Sequence, residues 1–111
     1  MAYNSAFTPQ DSEPSAEQLA TMPGTLLLEF AAPWCAHCQA AQPLLIEALH
    51  AYPALSHLKF EDGKGRRLGR SFKVKLWPTL IVLRDGAEVA RLVRPDSVAA
   101  IAGMLADAAT V

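Results

Sequence analysis

The sequence predicts a single α/β domain with a mixed β-sheet, because its two halves carry different strand patterns. In the first half, two apolar runs are separated by a segment with helical spacing, which favours a parallel β-α-β unit. In the second half, two apolar runs flank Asp85-Gly86, a dipeptide typical of a tight hairpin turn, which predicts antiparallel strands. The 111 residues provide enough chain for one hydrophobic core, so the domain is expected to span residues 1–111.

The predicted helices are recognised by their start and stop signals. Ser15 precedes Gln18 by three residues, a spacing typical of a capping box, and the first helix is expected to end near Met22. The longest helical pattern contains Pro43, which is expected to kink that helix. After the first helix, the predicted helices cover residues 35–51, residues 64–72 and a last segment capped by Asp96 or Ser97.

The predicted strands are short apolar runs. Residues 25–31 are apolar on both faces apart from Glu29, which is typical of a strand covered on both sides. The remaining strands are expected at residues 58–61, 78–84 and 87–93. Residues 1–11 are expected to be irregular or to form a short edge strand near residues 6–8.

Composition and charge exclude several functional classes. The chain is 51% hydrophobic and 19% charged, and its net charge of −1 without a basic stripe argues against a nucleic-acid partner. The apolar runs are far shorter than a membrane span, so no membrane association is expected. The N-terminal residues lack the basic and apolar regions of a secretory signal. We therefore expect a cytoplasmic protein, in which closely spaced cysteines are more often catalytic or metal-binding than structural.

The two cysteines of the chain, Cys35 and Cys38, are separated by two residues where an apolar run gives way to a helical pattern. Two thiols at this spacing at a helix start are able to close a disulfide and open it again. The positive field of the helix N-terminus favours the thiolate of the first thiol, so Cys35 is the better nucleophile and Cys38 the resolving thiol. His37, as a cation and hydrogen-bond donor, is expected to favour the Cys35 thiolate as well. These residues indicate dithiol–disulfide exchange.

A zinc site is the main alternative for a Cys-x-x-Cys pair. Zinc would need two more ligands, and His50 and His57 are available. Six residues separate these histidines, whereas three to five are usual in zinc sites, so the sequence predicts no metal site.

Several motifs together resemble those of the thioredoxin family over nearly the whole chain. Residues 29–38 read Glu-Phe-Ala-Ala-Pro-Trp-Cys-Ala-His-Cys, like the active-site segment of that family, and Pro43 follows five residues later. Trp77-Pro78-Thr79 is similar to the cis-proline loop that faces the active cysteine, and Asp85-Gly86 to the hairpin turn. The resemblance implies a thioredoxin fold, in which a central mixed sheet of four or five strands is flanked by helices on both faces.

The resemblance also assigns roles to individual residues. It implies that Cys35 attacks a substrate disulfide, that Cys38 resolves the mixed disulfide, and that their reversible disulfide works without an external cofactor. Glu29 resembles the buried acid that exchanges a proton with Cys38, and a carboxyl group in a strand covered on both faces suits that task. Lys59 lies at the spacing of the lysine that modulates this acid. The alternatives are a solvated Glu29 and a plain surface Lys59.

The resemblance further implies a substrate-binding surface around the cysteines. The peptide bond before Pro78 is expected to be cis and to place the Trp77 backbone where an extended substrate chain pairs with it. Trp34 is expected to form an exposed apolar wall beside Cys35. The alternatives are a trans Pro78 that opens an edge strand and a Trp34 inside the core.

The chain departs from the usual family pattern at four places. The spacer Ala36-His37 replaces Gly-Pro, and its histidine is more like that of disulfide isomerases and oxidases. Glu29 stands where an aspartate is usual, Trp77 where a smaller aliphatic residue is usual, and Val93-Arg94-Pro95 where a small glycine loop is usual. Exchange chemistry is therefore expected, whereas docking with a standard thioredoxin reductase is expected to be weak.

The predicted function is that of a cytoplasmic, monomeric thiol–disulfide oxidoreductase that reduces protein disulfides. Its electrons are expected to come from a reductase or another dithiol donor, and this donor and the compartment set the direction of exchange. One alternative is a more oxidising oxidase or isomerase, and another is a thioredoxin-fold binding module with regulatory cysteines. The intact cysteine pair with an acid below it favours the enzyme.

Overall fold

Four strands form the sheet, and the structure, a computed structural model, describes residues 2–109. The strands are β1 Thr25–Ala31, β2 Ser56–Glu61, β3 Thr79–Arg84 and β4 Ala87–Val93. They lie in the order β2-β1-β3-β4. β1 and β2 pair in parallel, whereas the β1–β3 and β3–β4 pairs are antiparallel, so the mixed sheet expected from the two strand patterns is confirmed.

The helices lie close to the predicted segments. Ser15 Oγ accepts from the amide of Gln18 at 3.1 Å while the Gln18 side chain accepts from the amide of Ser15 at 2.8 Å, which is the predicted capping box. Ser97 caps the last helix, because its Oγ accepts from the amide of Ala100 at 3.1 Å. The helices are α1 Ala16–Ala20, α2 Ala36–Leu49, α3 Arg67–Ser71 and α4 Val98–Ala109, and a 3-10 turn at Gln10–Ser12 precedes them.

The chain before the 3-10 turn adds no fifth strand within the described residues. Residues 2–9 are irregular, and the amide of Thr8 donates to the carbonyl of Lys59 at 2.8 Å. Pro9 follows directly and has no amide hydrogen with which to continue such a ladder. The short edge strand considered near residues 6–8 therefore does not form.

Each face of the sheet carries its own core. Alternate residues of β1 point to opposite faces, so Leu27 packs against apolar residues of α2 and α4, whereas Leu28 and Phe30 pack with residues of α1 and α3. Glu29 has the same parity as Leu27 and is fully buried. Its side chain therefore lies between the sheet and α2, the helix that begins at the cysteines.

Asp85 and Gly86 form the predicted hairpin turn between β3 and β4. Their φ angles are 49° and 86°, and two positive φ angles in a two-residue loop are typical of a type I′ turn. The Asp85 side chain also accepts from the amide of Gly24 at 2.7 Å, which fixes the hairpin to the loop before β1.

Candidate active site

The two cysteines lie at the N-terminal end of α2. Cys35 is the N-cap residue, and its Sγ accepts a hydrogen bond from the backbone amide of Cys38 at 3.2 Å. The relative exposures of Cys35 and Cys38 are 6% and 3%, and both are free thiols in this structure. The first turn of α2 therefore offers a donor to negative charge on Cys35 Sγ.

Cys38 is the thiol that keeps its proton. Burial first, then the hydrogen bond with Cys35 and the negative charges of Cys35 and Glu29, raise the pKa of Cys38 from 9.0 to about 12. At pH 7 its thiolate fraction is therefore on the order of 10⁻⁵. Cys38 therefore needs a base in order to react as a thiolate.

Glu29 lies beneath the cysteines in a network of hydrogen bonds. Gln42 of α2 donates from Nε2 both to Glu29 Oε2 at 2.9 Å and to the carbonyl of Cys38 at 2.8 Å. Lys59 Nζ lies 3.9 Å from Glu29 Oε2 and donates to Gln42 Oε1 at 3.2 Å. Glu29 and Lys59 are both buried, so the solvated alternatives considered for them do not apply. Gln42 links the acid to the backbone of the resolving cysteine.

His57 completes this network. Its contact with Glu29 was not predicted from the sequence, where it was only a possible zinc ligand. Its Nε2 lies 2.9 Å from Glu29 Oε1, and both side chains are fully buried. The strand pattern of β2 could have predicted this contact. His57 and Lys59 are two residues apart, so their side chains lie on the same face of the sheet. Lys59 is the register partner of Glu29, so both β2 side chains project toward the acid.

A small open pocket lies beside Cys38 and part of the network. Its volume is about 60 Å³, room for about two water molecules, and Cys38, Gln42 and Lys59 contribute to its wall. Polar atoms of Gln42 and Lys59 provide partners for such water. The pocket therefore lies beside Cys38 and beside two partners of Glu29, namely Gln42 and Lys59.

Two tryptophans border the cysteines on the outside. Trp34 is 72% exposed, as expected for an apolar wall, and its ring meets that of Trp77 edge-on at a centroid distance of 5.4 Å. The Trp77–Pro78 peptide bond is cis, and the Trp77 carbonyl oxygen lies 3.9 Å from Cys35 Sγ. The two indoles and the proline loop thus border an apolar surface beside Cys35.

The indole of Trp77 is held by a carboxylate. Its Nε1 donates to Asp62 Oδ2 at 2.8 Å. Asp62 in turn occupies space beside Gly69 of α3, where a β-carbon would collide with the carboxylate. The orientation of Trp77 therefore depends on Asp62 and on the small residue behind it.

Arg94 covers the backbone carbonyl of Trp77. Its Nε donates to the Trp77 carbonyl at 2.9 Å, and its own amide donates to the Pro78 carbonyl at 2.9 Å. Its φ of 49° lies in the left-handed region that favours glycine. The cationic side chain of Arg94 therefore occupies the position where the family usually has a small glycine loop.

His37 is exposed to solvent. It lines an open cleft of about 520 Å³ together with Leu44, Arg94 and Asp96. Within residues 2–109, the hydrogen bond recorded to Cys35 Sγ comes from the amide of Cys38 and none comes from the His37 ring. The proposed effect of His37 on the thiolate stays a prediction.

Within residues 2–109, no group of three or more His, Cys, Asp or Glu side chains is arranged to hold a metal ion. In the same part of the chain, none of the helices has the length and apolar character that crossing a membrane requires.

A dithiol at a helix start, on an α/β sheet with a buried acid below it, defines a class of redox proteins. The family follows from comparison: residues 9–107 match the family model described as Thioredoxin, and the chain belongs to the thioredoxin family. This match confirms the family resemblance, and the similarity to solved thioredoxin structures confirms the expected fold. Members of this family are thiol–disulfide oxidoreductases.

The chain is similar to several thioredoxins. The structure of thioredoxin 2 from Pseudomonas aeruginosa PAO1 in its reduced form superposes with a TM-score of 0.79, at 52% identity, over 89% of this chain and 93% of that chain. The thioredoxin of Chlamydia trachomatis is 39% identical over 71 residues, which cover 63% of this chain and 69% of that protein. A thioredoxin H-type of Populus jackii is 35% identical over 68 residues, 61% of this chain. The chain spans between 49% and 59% of the length of the three plant thioredoxins that it matches.

Proposed function

We propose that this chain catalyses reversible thiol–disulfide exchange and reduces disulfide bonds in protein substrates. The observation that carries the proposal is the asymmetry of the pair. Cys35 Sγ accepts a helix amide, whereas Cys38 holds its proton with a pKa of about 12 above a buried acid. One thiol is thus prepared to attack, and the other to wait until a base removes its proton.

The first step is attack by Cys35 on the substrate disulfide. The thiolate Sγ forms a bond to one substrate sulfur, the substrate S–S bond breaks, and the departing sulfur leaves as a thiolate that takes a proton from solvent. The Cys38 amide, 3.2 Å from Sγ, stabilises the thiolate before attack. The exposed Trp34 beside the cysteine offers apolar contact to the substrate chain.

The second step is resolution by Cys38. Its thiol proton passes to Glu29, whose partners Gln42 and Lys59 line the small pocket beside Cys38, and Cys38 Sγ attacks Cys35 Sγ. The Cys35–Cys38 disulfide forms, the mixed disulfide breaks, and the second substrate sulfur leaves and is protonated. The substrate has gained two electrons and the cysteine pair has lost two, so no cofactor besides the pair is needed in the chain. An external dithiol, such as a reductase, restores the pair.

The structure favours a reductant over the two alternatives. A strongly oxidising couple needs a strongly stabilised Cys35 thiolate, and within residues 2–109 the hydrogen bond that Cys35 Sγ accepts is the one at 3.2 Å from the Cys38 amide. A pure binding module would need neither a resolving thiol nor the acid network beneath it. The cytoplasmic location and the monomeric state remain predictions.

Arg94 is expected to limit reduction by a standard thioredoxin reductase, because its guanidinium occupies the Trp77 carbonyl. Arg94→Gly frees that carbonyl and suits the positive φ at this position. We expect the variant to accept electrons faster from such a reductase in a coupled nicotinamide assay. Equal rates for both proteins would remove Arg94 from the docking argument.

Two cysteine variants test the proposed function. Cys35→Ser is expected to abolish dithiol-driven reduction of insulin, whereas Cys38→Ser is expected to accumulate mixed disulfides through Cys35 that intact-mass spectrometry detects. If Cys35→Ser keeps full activity and Cys38→Ser stays free of adducts, the proposed roles are wrong.

A further inference from the structure

His57 is a buried histidine with a hydrogen bond at each ring nitrogen. Its Nε2 lies 2.9 Å from Glu29 Oε1, and its Nδ1 accepts from the backbone amide of Asn4 at 2.9 Å. An amide N–H is only a donor, so Nδ1 carries no proton while this bond is present. The ring proton therefore lies on Nε2, and His57 is a neutral imidazole that donates to Glu29.

The N-terminal segment fixes this arrangement. Asn4 also donates from Nδ2 to the His57 carbonyl at 3.2 Å, and the Tyr3 ring packs on the imidazole at a centroid distance of 5.6 Å. The Tyr3 hydroxyl donates to Gln42 Oε1 at 2.6 Å. Residues 3 and 4 thus connect the N-terminal segment to both His57 and Gln42 of the network.

Both carboxylate oxygens of Glu29 face donors. His57 donates to Oε1, and Gln42 donates to Oε2. The titratable and charged groups packed around the carboxylate are Tyr3 from the N-terminal segment, Cys38 from α2, and His57 and Lys59 from β2. Lys59 balances the negative charge, whereas Tyr3 and Cys38 keep their protons because burial, followed by charged or hydrogen-bonded neighbours, raises the pKa of each.

We propose that His57 is a positioning residue, held as the Nε2-protonated neutral tautomer by the backbone of Asn4, and that His57 donates to Glu29 Oε1 and orients the carboxylate to receive the proton of Cys38. The inference rests on the proposed function, since it concerns the resolving step of exchange. The proton moves from Cys38 Sγ to a Glu29 oxygen, and the Nε2 proton of His57 stays in place throughout.

The role of a neutral donor makes a specific kinetic prediction. Without the donor, the carboxylate loses the hydrogen bond at Oε1, so the pH midpoint of the resolving step is expected to rise. One lost hydrogen bond to a charged group corresponds to about 1 to 2 pH units. Attack by Cys35 does not use this carboxylate and is expected to keep its pH dependence.

The experiment compares three variants of the full chain by rapid mixing across a pH series. His57→Leu removes the donor, His57→Gln keeps a neutral N–H donor that cannot titrate, and His50→Gln changes an exposed histidine at the end of α2 as a control. We expect the pH midpoint of resolution to rise by about 1 to 2 units in His57→Leu and to stay near that of the unmodified chain in the other two. An unchanged midpoint in His57→Leu, or an equal rise in His57→Gln, would overturn the proposal.

A measurement on the unmodified protein keeps the proposal testable if His57→Leu does not fold. Ring ¹⁵N shifts at pH 7 are expected to show a protonated Nε2 and a bare Nδ1 for His57, and a ring protonated on Nδ1 contradicts the proposal. Failure of the proposed function has a different signature, namely that Cys35 forms no mixed disulfide in the unmodified chain, and the ring measurement still decides the tautomer in that case.

Discussion

Replacing Glu29 with glutamine tests the proton-transfer step, because it keeps the size of the side chain and removes the carboxylate. Cys38, with a pKa of about 12, is thiolate at pH 7 only to about one part in 10⁵, so resolution depends on a base. A positioned general base typically accelerates a step by about 10² to 10⁴-fold. The charge of Glu29 is the smallest of the causes that raise the Cys38 pKa. Removing it therefore lowers that pKa only slightly and does not compensate for the lost base.

We therefore expect Glu29→Gln to slow resolution by about 10²-fold or more while attack by Cys35 changes little. The assay mixes reduced protein rapidly with a peptide disulfide whose two thiols absorb at different wavelengths. Release of the first thiol reports attack, and release of the second reports resolution.

The matched control is Glu47→Gln, which removes the same charge from an exposed position of α2. Urea unfolding of both variants shows whether the fold is retained, since a glutamine amide facing His57 leaves one donor unpaired. Equal slowing of both kinetic steps, or no slowing of either, would refute the reasoning and leave Glu29 a structural role.

The remaining predictions concern three other residues. His37→Pro is expected to weaken the thiolate of Cys35 and make the couple more reducing, which ultraviolet thiolate absorbance and equilibration with glutathione measure; identical titrations would exclude His37 from the mechanism. Trp77→Ile is expected to broaden the substrate range, measured as the ratio of rates on a folded protein disulfide and an extended peptide disulfide, and an unchanged ratio would mean that the indole only packs. The unfolding free energy of the reduced protein is expected to fall from pH 9 to pH 12, because the unfolded chain ionises Cys38 near 9.0 and the folded chain near 12. Cys38→Ala is expected to show a smaller fall in urea unfolding over that range, and an equal fall contradicts the assignment.

Local patterns were sufficient to predict most elements of the fold. The capping box at Ser15 and the turn at Asp85-Gly86 depend on neighbouring residues, and both form as expected. The burial of Glu29 follows from the apolar run around it, because a strand covered on both faces has no exposed side. Such signals are visible in a few consecutive residues.

The parts that sequence did not predict depend on contacts between distant segments. His57 joins Glu29 across 28 positions and Asn4 across 53, and Gln42 joins the two halves of the site through its amide. The contact of Arg94 with Trp77 requires both the proline loop and the turn after β4. The failed edge strand at residues 6–8 also depended on pairing with β2, which one amide and the following proline do not sustain.

The contact between Gly69, Asp62 and Trp77 links a position on α3 to the surface beside Cys35. A methyl group at position 69 would push the Asp62 carboxylate away from the indole, yet it would also favour the helical conformation of α3. The cost in folding would therefore be small, because the displaced atoms form the end of a flexible side chain. The main effect would be on Trp77 beside Cys35, because its indole would lose the hydrogen bond to Asp62. A substitution at position 69 would thus alter the surface beside Cys35 more than the stability of the fold, although this residue lies on α3 behind that surface.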